Sequence, residues 1–214
     1  MAKDWRKDWD RYFVSPSRLK TWRDCPRKYY YNYIRRLPTP DRLFFLSGNV
    51  FDGIAFEEFR FDQGQDVEPI VQMAGDAIYH RAKKCKDLRD LNGRKLGEKE
   101  ILKEVMDFRT WLRSFLLAIQ RGVDKEGRTV QIPAIKDTQV LCKWPIEIDG
   151  NKVTIAGYAD ILHEDGSVTD LKMASTWPSS MWTHGRIMSE LQWVPYSQAL
   201  NTNKFQYIVT DKQK

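Results

Sequence analysis

Two stretches in the C-terminal half bring carboxylates and an ammonium together: Gly157-Tyr158-Ala159-Asp160 and Thr169-Asp170-Leu171-Lys172. Each closes, or nearly closes, a predicted strand. Only a short turn at 163–167 separates the strands, so Asp160 and Asp170 can meet where the two run side by side. Asp170 and Lys172 are two residues apart and share one face of a strand. Two carboxylates and an ammonium converging on one spot are costly unless a divalent cation sits among them. Hard oxygen donors of this kind suit Mg²⁺ or Mn²⁺. Asp170-Leu171-Lys172 is also the only acid-x-Lys triplet in the chain. The same residues are compatible with a charged hairpin edge whose aspartates merely cap turns.

The elements that must position these residues follow from local signals. Residues 138–148 are β-rich, Asp149-Gly150 is a hairpin signal, and 152–162 form the return strand. Glu164-Asp165-Gly166 turns the chain into a third strand at 167–172. A helix over about 185–201 and a last strand around 204–210 follow. The N-terminal half reads as helical. Ser15-Pro16 opens a helix over 16–24, with Ser at the N-cap and Pro at the first helical position. Cys25-Pro26 interrupts it, because a residue before proline is pushed out of the α region. A second helix covers 26–36, closed by Leu37-Pro38-Thr39-Pro40. Helices are predicted over 46–61 and 67–91. The cleanest helix is 98–121, with Ile101, Val105, Phe108, Leu112, Phe115 and Ile119 on one face and Gly122 as its stop.

Charge is unevenly placed. Residues 1–36 hold 11 Lys/Arg against 4 Asp, a balance of +7, so the other 178 residues sum to −1 of the chain's +6. The same segment holds 9 of the 27 aromatic residues, among them Trp22, Tyr29, Tyr30, Tyr31 and Tyr33. Cations attract phosphates and aromatic faces stack on bases, which suits a nucleic-acid surface. Packing of the aromatics onto the body, with the charges solvated, explains the composition equally well. Residues 1–14 set four cations against three aspartates. The useful cations are therefore expected at Arg18, Lys20, Arg23, Arg27, Lys28, Arg35 and Arg36.

Other classes are excluded by composition. No apolar run approaches the roughly 18 residues of a membrane span. The opening MAKDWRKDWD lacks the apolar core of a secretion signal, which points to a cytoplasmic protein, or host cytoplasm if phage-encoded. Three cysteines without a CxxC pair read as free thiols, and three scattered histidines do not make a zinc site. With no repeat, low-complexity tract or linker, 1–214 reads as one domain, mainly helical over 1–122, with the meander, helix and final strand over 138–210.

Gly-x-x-Asp followed by Asp-x-Lys on successive strands resembles the PD-(D/E)XK nuclease superfamily, specifically its RecB-like branch. Three further stretches carry the resemblance. Ser15-Pro16-Ser17-Arg18-Leu19 with Cys25-Pro26-Arg27-Lys28-Tyr29-Tyr30 is similar to that branch's N-terminal segment. Gly48-Asn49-Val50-Phe51-Asp52 stands where the branch has Gly-x-x-x-His. Gln192-Trp193-Val194-Pro195-Tyr196 is similar to its Gln-x-x-x-Tyr helix. The chain is similar to CRISPR-associated adaptation nucleases, but lacks the C-terminal cysteines with which some relatives bind an iron–sulfur cluster. A cluster needs four thiolates, so none is expected, and Cys25 is expected to pack in the core.

The resemblance implies an α/β fold with a restriction-endonuclease-like core: a mixed β-sheet flanked by helices, with a helical N-terminal half. It implies a Mg²⁺- or Mn²⁺-dependent deoxyribonuclease acting on DNA in recombination, repair or phage DNA processing. Asp160, Asp170 and the backbone carbonyl of Leu171 would hold the metal, and Lys172 would orient the attacking water. Gln192 and Tyr196 lie one helical turn apart and would position the DNA or Lys172. Asp52 replaces the family's His. With Asp160, Asp170 and Lys172 it makes a cluster of about −2, which favours Asp52 as a further ligand for a hard ion. Pro195 removes one helix hydrogen bond, worth about 3 kcal/mol in a helix interior, so the helix is expected to kink or to start late. The rival reading is a catalytically silent nucleic-acid-binding or scaffold module on the same fold.

Overall fold

The structure is a computed structural model that describes residues 13–55, 58–59, 64–90, 92–123, 127, 129–130, 132–174 and 192–211. The described residues within Met1–Pro38, Ala134–Asp170 and Ser179–Ile208 form one compact unit; those within Thr39–Pro133, Leu171–Pro178 and Val209–Lys214 form a second. No helix among the described residues is long and apolar enough to cross a membrane.

The first unit is built around a mixed sheet. The strands of the sheet are β1 (Phe13–Val14), β4 (Ile135–Ile148), β5 (Asn151–His163), β6 (Val168–Ala174) and β7 (Phe205–Asp211), in the order β1-β5-β6-β7 with β4 paired to β5; β6 from Leu171 on and β7 from Val209 on belong to the second unit. β1 is parallel to β5, whereas β4 and β6 are antiparallel to it, and this mixed sheet with helices against it is the predicted architecture. The β4–β5 turn needs left-handed backbone at both central residues, and Asp149 and Gly150 supply it at φ 50° and 76°. That two-residue turn makes Ile148 face Asn151 and sets the register of the long ladder.

Helices of this unit are α1 (Pro16–Asp24), α2 (Pro26–Tyr29) and α6 (Trp193–Leu200). Ser15 caps α1 by accepting from the Arg18 N–H at 3.3 Å. Cys25 is exposed instead of packed in a core, and its Sγ caps α2 by accepting from the Lys28 N–H at 3.4 Å. The helix predicted over 26–36 is α-helical only to Tyr29 and continues as a π-helical turn over Tyr30–Ile34. In the widened turn Tyr29 and Tyr33 meet at a ring separation of 5.1 Å. Pro195 lies in the first turn of α6, where N–H groups have no intrahelical partner, so it disrupts nothing. The part of the predicted 185–201 helix that precedes 192 falls outside the described residues.

The second unit contains β2 (Asp41–Arg42), α3 (Leu43–Val50), α4 (Glu68–Lys84), β3 (Leu88–Arg89) and α5 (Glu98–Arg121). The predicted helix 46–61 starts earlier, at Leu43, and opens into a π-helical turn at Phe51–Ala55; residues 56–57 and 60–61 lie outside the described set. The predicted helix 67–91 ends at Lys84, because Cys85 turns extended and Leu88–Arg89 pair in parallel with β2. Its basic last turn, Arg81, Lys83 and Lys84, suits the negative end of a helix dipole and was the stop signal. α5 has the predicted bounds and ends on Gly122 at φ 67°. Its inner face packs Phe108, Trp111 and Phe115 with Phe51, and Gly75 of α4 leaves room for the Arg109 side chain.

Candidate active site

Register decides what faces what on β5 and β6. Ile161 pairs with Thr169 and Leu162 with Val168; the ladder ends there, and Asp160 and Asp170 are the next residues on the two strands. Ile161, Val168 and Thr169 are fully buried, so both faces of β6 are packed here and a slipped register would have to repack both. Polar contacts pin it further. His163 Nε2 lies 2.7 Å from Thr169 Oγ1, which also accepts from the Gln206 amide of β7. In the turn, Asp165 accepts from the Ser167 hydroxyl at 2.6 Å and its N–H at 2.9 Å. These bonds, aided by Lys204, hold the Asp165 carboxyl down at about 2.

Asp170 is 1% exposed, whereas Asp160 is half-buried. Both carboxylates act electrostatically on Tyr196, so they lie in one neighbourhood, where like charges with one of them buried are costly. As a donor set of hard oxygens they fit a divalent cation. Among the described residues no group of three or more His, Cys, Asp or Glu side chains gathers at a metal-binding spacing.

Tyr196 of α6 closes this part of the unit. It is 2% exposed and packs with Cys142, Ala159 and Val168. Burial first, then the charges of Asp170 and Asp160, push its phenol well above the ordinary value, while a hydrogen bond with Gln192 pulls the other way. Tyr196 therefore serves as a neutral hydroxyl and not as a phenolate. Burial also lifts the Cys142 thiol to about 11, which makes it an inert apolar contact.

The glycine of Gly-x-x-Asp has a steric reason. A Cβ on Gly157 would fall 2.8 Å from Tyr196 Oη, 3.0 Å from its Cε1 and 3.3 Å from Pro16 Cδ. Thus Pro16, at the start of α1, and Tyr196 both close on β5 three residues before Asp160. Because the ring is buried, it has no free direction in which to retreat. Gly157→Ala is expected to destabilise the protein by about 1–3 kcal/mol, an overpacking cost. Urea unfolding measures it, and an unchanged midpoint would contradict the close approach.

The remaining predicted site residues are placed as follows. Lys172 is half-buried on β6, two positions beyond Asp170, with buried Leu171 between them. Asp52 belongs to the second unit and is exposed in the π-helical turn after α3. In the first unit Arg23, Arg27, Lys28, Arg35 and Arg36 are exposed, and Arg18 and Lys20 are half-buried. Arg18 lies 5.0 Å from the Tyr33 ring centroid and Arg27 5.8 Å from that of Tyr31. Trp22, Tyr30 and Tyr31 are exposed beside them. Solvent thus reaches both the cations and the aromatic faces, the arrangement a nucleic-acid surface requires.

Sequence reasoning missed Gln139. Its Nε2 donates to Asp160 Oδ1 at 3.2 Å, and its backbone is left-handed at φ 51°, which costs a non-glycine residue roughly 1–2 kcal/mol. Counting outward from the Asp149-Gly150 turn places residue 139 opposite 160, so a signal for the pairing was present. The distortion had none.

A search of curated proteins finds no match. The sequence does match the PD-(D/E)XK nuclease superfamily over residues 14–212, from β1 through β7. A match of that extent, running across Asp160 and the Asp170-Leu171-Lys172 strand, means that this chain belongs to the PD-(D/E)XK nuclease superfamily, whose members are metal-dependent nucleases.

Proposed function

We propose that the chain is a divalent-metal-dependent deoxyribonuclease of the RecB-like branch, acting as an exonuclease in recombination, repair or phage DNA processing. The observation that carries this reading is that buried Asp170 and half-buried Asp160 each adjoin the last paired residues of β5 and β6 and both act on the buried Tyr196. The whole of 1–214 acts as one nuclease domain in the cytoplasm. Asp160, Asp170 and the Leu171 carbonyl hold Mg²⁺ or Mn²⁺, and Asp52 joins as a ligand, directly or through water, only once the ion is bound. When bound, the ion lowers the pKa of the attacking water and offsets charge at the scissile phosphate. Lys172 orients that water and stabilises negative charge on the phosphate. Neutral Tyr196, held by Gln192, positions the DNA or Lys172. The direct test is incubation of end-labelled single- and double-stranded DNA with Mg²⁺, Mn²⁺ or EDTA. Cleavage products bearing 5′-phosphates only with metal support the reading, and no cleavage of either substrate with either ion rejects it.

Two further results are expected. Lys28→Glu with Arg35→Glu removes two exposed cations from the N-terminal surface, so DNA binding should weaken. The slope of log K against log salt should flatten by about 1 or more per lost phosphate contact. An unchanged slope in fluorescence anisotropy would assign these helices to packing alone. For Asp52, Mg²⁺ or Mn²⁺ should raise the melting temperature of the metal-free protein, since binding to the folded state alone stabilises it. Asp52→Asn should shrink that rise and slow cleavage, and Asp52→His should shift preference toward Mn²⁺, which accepts imidazole better. A wild-type melting shift in Asp52→Asn would remove Asp52 from the ligand set.

A further inference from the structure

Gln139 has a left-handed backbone in the middle of a 14-residue strand, at φ 51°. The ladder is regular on either side of it, with Thr138 opposite Ile161 and Val140 opposite Ala159. The position between those pairs faces Asp160, and the Gln139 amide donates to Asp160 Oδ1 at 3.2 Å. Both side chains are half-buried, so the bond is partly shielded from water. Left-handed backbone at a long side chain persists only where the surroundings impose it, and such positions cluster at functional groups. In this strand the distortion sits at the residue that reaches Asp160.

We infer that Gln139 is a positioning residue that fixes the rotation of the Asp160 carboxylate for metal binding. The inference rests on the assignment of Asp160 as a ligand. The chemistry of the side chain supports it. An amide N–H stabilises the ionised carboxylate and takes up one of its acceptor sites, but brings no charge. Lysine or arginine at this place would neutralise Asp160 and compete with a cation. Glutamine orients the ligand and leaves its full charge for the ion. Partners of this kind, one bond behind a metal-binding carboxylate, tune affinity and rate without touching the metal.

The experiment is a calorimetric titration of the full chain with Mn²⁺ alone, with thermal melts in EDTA and cleavage kinetics over a range of DNA concentrations. Three variants are compared with wild type: Gln139→Met, Gln139→Gly and Asp160→Asn. Methionine keeps the length and loses the donor, so Mn²⁺ affinity should fall about 10- to 100-fold. Its kcat should fall while KM for DNA stays near wild type. Glycine also loses the donor but tolerates the left-handed backbone, so its melting temperature should hold or rise as Mn²⁺ affinity falls. Should the methionine variant not fold, the glycine variant decides alone. Wild-type Mn²⁺ affinity in the folded Gln139 variants, with binding lost in Asp160→Asn, overturns the positioning role and keeps Asp160 as a ligand. Undiminished binding in Asp160→Asn overturns the ligand assignment and this inference together.

Discussion

Replacing Asp170 with asparagine is expected to abolish DNA cleavage while raising the melting temperature of the metal-free protein. Asp170 is almost fully buried and, like Asp160, stands one residue beyond the last paired positions of β5 and β6. In the absence of a cation, burial disfavours its ionised form, and the nearby Asp160 carboxylate adds repulsion. Asparagine has the same shape and removes that repulsion, so the apo protein gains stability. It also removes a hard anionic ligand, so cleavage should fall by about 10³-fold or more. The stabilisation that Mn²⁺ confers, about 2.7 kcal/mol when the ion is at 100 times its Kd, should largely vanish. Melts with and without EDTA, read beside a cleavage assay, test all three parts. A residue retained for packing would behave oppositely: the asparagine variant would melt at or below the wild-type temperature, with cleavage and the Mn²⁺ shift intact.

Lys172→Ala should separate chemistry from metal binding. Lys172 follows Asp170 by two residues on the same strand, and in the proposed mechanism it supplies an ammonium beside the carboxylate ligands. Removing it should lower the cleavage rate by about 10²- to 10³-fold, the loss typical of a single group that stabilises charge in the transition state. The Mn²⁺-induced melting shift should survive, because no ligand is lost. Lys172→Arg should recover only part of the rate, since a planar guanidinium does not present a point charge as an ammonium does. Full activity in Lys172→Ala would remove this residue from the reaction, and loss of the Mn²⁺ shift would make it a support of the metal site instead.

Much of the fold was legible because its signals are local. The bounds of α5 follow from a 3.6-residue apolar period and a glycine stop, and both are properties of neighbouring residues. The β4–β5 hairpin follows from Asp149-Gly150, and arithmetic from that turn pairs 139 with 160. The same arithmetic from the 164–166 turn brings 160 beside 170, so the neighbouring aspartates were readable before any coordinates. What escaped was non-local. The short strands Phe13–Val14, Asp41–Arg42 and Leu88–Arg89 exist because partners far along the chain pair with them, and two residues carry no period. The end of α4 was misplaced because helical propensity continues past Lys84 while pairing with β2 takes over.

Residue chemistry by itself therefore supplied an Asp and an Asp-x-Lys on elements whose order and register can be counted, and the resemblance added a Gln-x-x-x-Tyr. Only the tertiary structure decided how each group is held. Burial of Asp170, the closing of Tyr196 and Pro16 on Gly157, and the exposure of Cys25 depend on side chains brought together from distant segments. The left-handed backbone at Gln139 belongs to the same class, since glutamine does not adopt that conformation of its own accord. Local propensity acts over a few residues and so can be read along the chain. Desolvation, close approach and strain are set by whatever packs against a residue in space, and that is decided only when the chain folds.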